Sequence, residues 1–159
     1  MKKMFFNMIT MIFLTISSLA FAANSPIYRD TSEMTGSYTN ELKSRMNKIE
    51  KEIIAKHGNV SGNDYNFKMA AQEIYAYWDK ELNIIYNKLI KELNPKAKQN
   101  LIQSQRDWIK YRDYDGVFRF YIQNEEGGTL GVNHEISAKI RTVKERTLNL
   151  AYVYDNIEN

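Results

Sequence analysis

Apolar residues recur at helical spacing over most of the chain, and the breaks between recurring stretches mark the elements. Leu42, Met46, Ile49 and Ile53 stand 4, 3 and 4 residues apart and predict a first helix, with Thr39 or Asn40 as its cap and Gly58 as its stop. A polar hinge, Asn59 to Asn63, leads to a second helix from Asp64 to Asn94, which Pro95 ends while opening a third. The second helix carries the stripe Asp79, Leu82, Tyr86, Leu89 and Leu93, and the third carries Leu101, Gln105, Trp108 and Arg112. The run Gly116 to Ile122 is β-branched and aromatic enough for a strand. It reads as continued helix, because the chain has no second strand to pair with it. Residues Asn124 to Asn133 read as a loop by composition, and Ile136, Ile140, Val143, Leu150, Tyr154 and Ile157 mark a last helix. The fold expected is therefore all-α, an antiparallel four-helix bundle spanning 39–159 as a single domain, behind a flexible tail at 23–38.

A tight turn at Asn94-Pro95 makes helices two and three a hairpin, whose stripes then pair Asp79 with Arg112, Leu82 with Trp108, Tyr86 with Gln105, and Leu89 with Leu101. An acid and a guanidinium that would each be costly against a core alone can meet as an ion pair. Asp79 could serve proton chemistry. The preferred reading is a register-fixing pair, since no second acid, nucleophile or histidine lies on the same seam.

The first 22 residues have a different pattern. Lys2 and Lys3 precede a nearly all-apolar, acid-free stretch from Met4 to Leu19, and Ala20-Phe21-Ala22 is the small-x-small sequence that a signal peptidase reads. The stretch is shorter than the roughly 20 residues of a spanning helix, so a cleavable signal peptide cut after Ala22 is expected rather than an anchor. Removing 22 of 159 residues leaves 137, and with Lys2 and Lys3 gone the net charge falls from +3 to +1. The expected product is a periplasmic or secreted protein with no membrane attachment, and its charge is too small for a nucleic-acid binder.

The chemistry legible in the remaining residues is sparse. There is no cysteine, which closes the thiol nucleophile and thiolate metal classes. His57 and His134 fall in no metal-ligand frame, and no nucleophile elbow or phosphate-cradling glycine loop occurs. The expectation is no catalytic residue, no metal, no cofactor and no enzymatic activity. An acidic pair, Glu125-Glu126, precedes Gly127, Gly128 and Thr129 on the longest expected loop and would suit a basic protein partner. Eleven tyrosines and two tryptophans also exceed what one small core usually consumes, and both types favour interfaces.

From Met69 onward the residue order resembles the LprI-type lysozyme-inhibitor family, specifically its N-terminal domain. The matching pieces are Asp79-Lys80-Glu81-Leu82-Asn83 with Tyr86, then Gln105-Arg106-Asp107-Trp108-Ile109-Lys110-Tyr111-Arg112-Asp113, Gly127-Gly128-Thr129, and Arg146-Thr147 with Leu150. The resemblance covers residues 69–152. Members of the family usually carry cysteines where this chain has Ala70, Gly116 and Ala138, so it is a cysteine-free variant that packing alone must hold.

The resemblance implies an exported protein that binds lysozyme or another muramidase and occludes its cleft. Such an enzyme is cationic with a carboxylate pair in a groove, so an acidic or aromatic rim is required of its inhibitor. Glu125, Glu126, Gly127, Gly128 and Thr129 are the first candidates for that contact, and the His57 to Asn63 hinge is the second. Asp79, Arg112, Tyr86, Gln105 and Trp108 read instead as fold-makers. The alternatives are an immunity protein against a secreted toxin and a cell-envelope binding or assembly module without inhibitory activity.

Overall fold

A computed structural model describes residues 30–122 and 128–157. The chain divides at Asp30, and residues 31–159 form the helical unit. The expected signal peptide and its cleavage point lie outside the described residues. Four helices follow in order: α1 Ser37–His57, α2 Asp64–Glu92, α3 Pro95–Tyr121 and α4 Gly128–Ile157. They pack on one another as a helical bundle in which α4 touches each of the other three, α2 most of all.

Local signals set most of the boundaries. The C-terminus of α1 is closed by Gly58, whose φ of 74° is open to glycine and whose N–H donates to the Ile54 carbonyl at 3.1 Å. The side chain of Asn63 accepts from Asn66 N–H at 3.1 Å to cap α2. At α3, Asn94 accepts from Ala97 N–H at 3.0 Å with Pro95 in the first turn, where its missing N–H costs nothing. The ambiguous run from Gly116 onward is helical, as expected, through Tyr121.

Three boundaries or faces differ from the sequence reading, each for a tertiary reason. First, α1 starts at Ser37 rather than at a Thr39 or Asn40 cap, and Met34 before it is buried with its carbonyl accepting from Lys43 Nζ at 2.7 Å. Residues 34–38 are thus held against the bundle rather than in a tail. Second, residues Gly128 to Asn133, read as loop, form the first turns of α4. Glycine makes this possible, because a Cβ at Gly131 would stand 2.6 Å from the Phe120 carbonyl, so only its absence lets α4 approach α3 so closely. Third, the buried stripe of α2 is Trp78, Leu82, Ile85 and Leu89, rotated from the expected one toward α1 and α4.

That rotation follows from where α3 sits. Its main neighbour is α4, it meets α2 only lightly, and Gly116 is its sole fully buried residue. Leu42 and Met46 of α1, the α2 stripe, and Val143, Leu148, Leu150 and Ala151 of α4 make the core, which Leu101 and Trp108 of α3 cover from one side. Burying this set supplies most of the folding free energy in a chain without disulfides.

Polar ties cross the bundle at three levels. Arg45 of α1 meets Glu81 of α2 at 2.9 Å, and Glu50 of α1 accepts from Trp78 Nε1 of α2 at 2.6 Å and Lys144 Nζ of α4 at 3.1 Å. At the end of α1, His57 Nε2 stands 2.8 Å and Lys56 Nζ 3.0 Å from Glu73 Oε2 of α2. The hydrogen bond with His57 first, and then that from Lys56, holds the Glu73 carboxyl below its ordinary range. A carboxyl depressed in the folded state stabilises above its unfolded pKa of about 4.3, and that stabilisation is lost as pH falls through the folded value. Thermal unfolding followed below pH 5 should therefore decline less steeply for Glu73→Gln than for the parent protein.

Candidate functional site

The seam residues come first. Arg112 Nη1 stands 3.9 Å from Asp79 Oδ1, within ion-pair reach, but the guanidinium lies closer to its neighbour Asp113, at 2.8 Å. The Asp79 side chain is 40% exposed and also accepts from Asn83 Nδ2 at 3.2 Å. This is a partly solvated acid in a polar cluster, not a buried carboxyl set aside for proton transfer. The Arg112 guanidinium lies 5.4 Å from the centre of the Trp108 ring and covers it on the half-buried flank of α3.

Gln105 does not use Tyr86 as its polar partner. Its Oε1 accepts from Arg146 Nε of α4 at 3.1 Å, and Ser104 Oγ accepts from Arg146 Nη2 at 3.0 Å. Burial lowers the Arg146 pKa from its ordinary value. The late arginine of the resemblance is therefore a clasp between α3 and α4, while Tyr86 is half-buried against the core. Asp79, Arg112, Trp108, Gln105 and Tyr86 are joined to packing or to neighbouring polar groups.

Of the loop candidates, Glu125, Glu126 and Gly127 lie outside the described residues. Gly128 opens α4 with φ of 70°, and Thr129 follows on the exposed side of its first turn. The second candidate, the hinge after His57, borders a cavity of about 270 Å³ between α1, α2 and α4. Ile54, Val60, Phe67, Ala70, Ile74 and Ile140 make its apolar walls, with the Glu50 and Lys144 pair at one side. Among the described residues no group of three or more acids or histidines is placed to hold a metal ion, and no helix is long and apolar enough to cross a membrane.

The most conspicuous surface is one the sequence reading passed over. On α3, Tyr111, Tyr114, Phe118 and Tyr121 are 59%, 76%, 54% and 54% exposed, with Val117 and Ile122 beside them. Their spacing of 3, 4 and 3 puts all four within an arc of about 80° on the helix. The arc lies opposite Gly116, whose missing side chain leaves room for Lys139 and Glu135 of α4. An apolar stripe normally marks the buried side of a helix. Here glycine faces inward and the aromatics face out. The signal is present in the spacing of Tyr111, Tyr114, Phe118 and Tyr121, on a different face from the stripe Leu101, Gln105, Trp108 and Arg112.

A contiguous exposed aromatic surface of this kind is typical of protein-recognition faces. Comparison with known proteins points the same way. No curated protein and no solved structure matches the chain, whereas the family model described as lysozyme inhibitor LprI matches residues 58–150. The match begins at Gly58, ahead of the Met69 from which the resemblance was traced, and so takes in the hinge and all of α2 and α3. It runs through the Asp79 and Arg112 blocks and the Arg146 clasp to Leu150 in the core of α4. Covering more than half of the chain, it establishes that the protein belongs to the LprI lysozyme inhibitor family.

Proposed function

We propose that this protein is exported by a signal peptide cleaved after Ala22 and inhibits a lysozyme-class wall-degrading enzyme by occluding its cleft. The family match over residues 58–150 carries the reading. The helical bundle supports it as a rigid mount, since a preformed scaffold loses less entropy when it docks.

The contact is assigned to the segment that joins α3 to α4. Glu125 and Glu126 lie in it, directly before Gly127, Gly128 and Thr129, and present two negative charges to an enzyme that is cationic around its carboxylate-bearing groove. The role is binding, not catalysis, and neither metal nor cofactor enters it.

The test is a turbidity assay of cell-wall lysis by purified muramidases, with a pull-down of the same enzymes by the exported protein. Slowed lysis at stoichiometric inhibitor is the expected result, and unchanged lysis at large excess would remove the proposal. The double variant Glu125→Lys/Glu126→Lys should weaken inhibition about tenfold or more, mostly through slower association at low salt. Full inhibition by that variant would move the contact elsewhere on the bundle.

A further inference from the structure

The aromatic face of α3 is self-complementary, and we propose that it is the contact between two copies of this chain, packed antiparallel about a twofold axis at Gly116. Tyr111 and Tyr121 stand five residues on either side of Gly116, and Tyr114 and Phe118 stand two on either side. An antiparallel copy crossing at that point places Tyr111 opposite the second copy's Tyr121, and Tyr114 opposite its Phe118. A twofold contact uses one patch twice and therefore demands this symmetry of the patch. The 3, 4, 3 spacing is also that of the apolar seam of a helix pair.

Charge and area both favour a second copy over a cationic enzyme. The acid in line with the stripe is Asp107, at its N-terminal end, where Lys110 Nζ lies at 3.3 Å and Gln103 Nε2 at 2.9 Å. Along the rest of the stripe, Arg112 pairs with Asp113, while Arg119, whose guanidinium lies over the Phe118 ring at 5.6 Å, shares Asp115 with Arg141 of α4. An aromatic strip without excess negative charge gives a cationic partner nothing to steer by, whereas two such strips, with Arg119 paired to Asp115, can approach each other.

Each aromatic ring offers about 200 Å² and is more than half exposed, so the four supply roughly 500 Å² per copy, before Val117 and Ile122 are added. Two copies together then bury on the order of 1,000 Å² or somewhat more, near the lower limit for a specific interface. The dimer expected is a reversible one that forms at micromolar protein.

Light scattering after size exclusion, run over a concentration series, reads the association directly. The purified protein should pass from monomer to dimer as concentration rises, and Tyr114→Glu/Phe118→Glu should stay monomeric at every concentration with unchanged helical circular dichroism. Both side chains are exposed, so the fold does not depend on them. A parent protein that remains monomeric at several hundred micromolar would overturn the proposal, as would a dimer indifferent to the double variant.

The absence of native cysteine allows a test of geometry as well. Tyr111→Cys mixed with Tyr121→Cys should form a mixed disulfide under mild oxidation. Neither variant alone should, because each thiol lies about 15 Å along the axis from its own copy at a rise of 1.5 Å per residue. A Tyr111→Cys homodimer as the main product would overturn the antiparallel arrangement. Muramidase inhibition is read separately, so loss of inhibition in Tyr114→Glu/Phe118→Glu by a parent protein that never dimerises would hand this face to the enzyme and reject self-association.

Discussion

Replacing Trp78 with alanine should lower the unfolding free energy by about 4 kcal/mol, the largest effect expected of any single substitution in the core. Trp78 is 1% exposed, on the α2 stripe between α1 and α4, so truncation opens a cavity that three helices would have to close. It also withdraws the indole N–H that donates to Glu50 Oε1 at 2.6 Å and the ring face that Lys144 Nζ covers at 5.2 Å from its centre. Native domains are stable by only about 5–15 kcal/mol, so a loss of this size should move the thermal midpoint down by roughly 15 °C. Trp78→Phe separates the two contributions. It keeps most of the volume and loses the hydrogen bond, and should cost about 1–2 kcal/mol in urea denaturation followed by circular dichroism. Equal losses in the two variants would mean that the cavity contributes nothing and the hydrogen bond everything.

Asp155→Ala should be the next most damaging, at about 2–3 kcal/mol, through a device that neither helix contains alone. The first turn of α1 has orphan N–H groups, and its cap residue is Gly36, which has no side chain to satisfy them. The buried Asp155 carboxylate reaches across from the last turn of α4. It accepts from Tyr38 N–H and Thr39 N–H at 2.9 Å each, and from Thr39 Oγ1 at 2.6 Å. A negative charge at a helix N-terminus is favourable in its own right.

Gly36 is part of the same device, because a Cβ there would collide with the Asp155 carboxylate. Gly36→Ala should therefore destabilise the parent protein and cost measurably less once Asp155 is glycine, which removes both the carboxylate and the Cβ that the new methyl would meet. Double-mutant analysis of chemical denaturation reads this coupling. Strictly additive losses would show that the cap and the glycine act independently.

These devices differ in how far the sequence discloses them. The stop at Gly58 and the break at Pro95 are local and legible together with the helices they bound. The caps at Asn63 and Asn94 depend equally on groups within four residues, but the sequence alone reads the one as the end of a hinge and the other as the end of the second helix. The approach of Arg112 to Asp79 was also accessible, because a short turn fixes the phase of both helices joined by it. Which α2 residues are most buried was not. The sequence offered Asp79, Leu82, Tyr86, Leu89 and Leu93, and the structure chose Trp78, Leu82, Ile85 and Leu89, because α2 leans on α1 and α4 more than on α3.

The start of α4 shows the same division. Asn124 to Asn133 has the composition of a loop, and local propensity alone would leave it as one. Close packing of Gly131 on the Phe120 carbonyl, together with the bond from Asn133 Nδ2 to Asp64 Oδ1 at 3.1 Å, accompanies helix from Gly128 onward. Tertiary contact overrides weak propensity wherever a helix can bury a close face.

By itself, the sequence determined an all-helical bundle, the positions of its first two turns, the absence of thiol chemistry, and a kinship carried by the Asp79, Trp108 and Arg112 blocks. Only the tertiary structure decided that Asp155 caps a helix whose Thr39 lies 116 residues before it, and that Glu50 joins three helices. It alone decided that α3 turns Gly116 inward and Tyr111, Tyr114, Phe118 and Tyr121 outward. Periodicity identifies the faces of a helix, but which face is covered depends on the neighbours that long-range packing supplies.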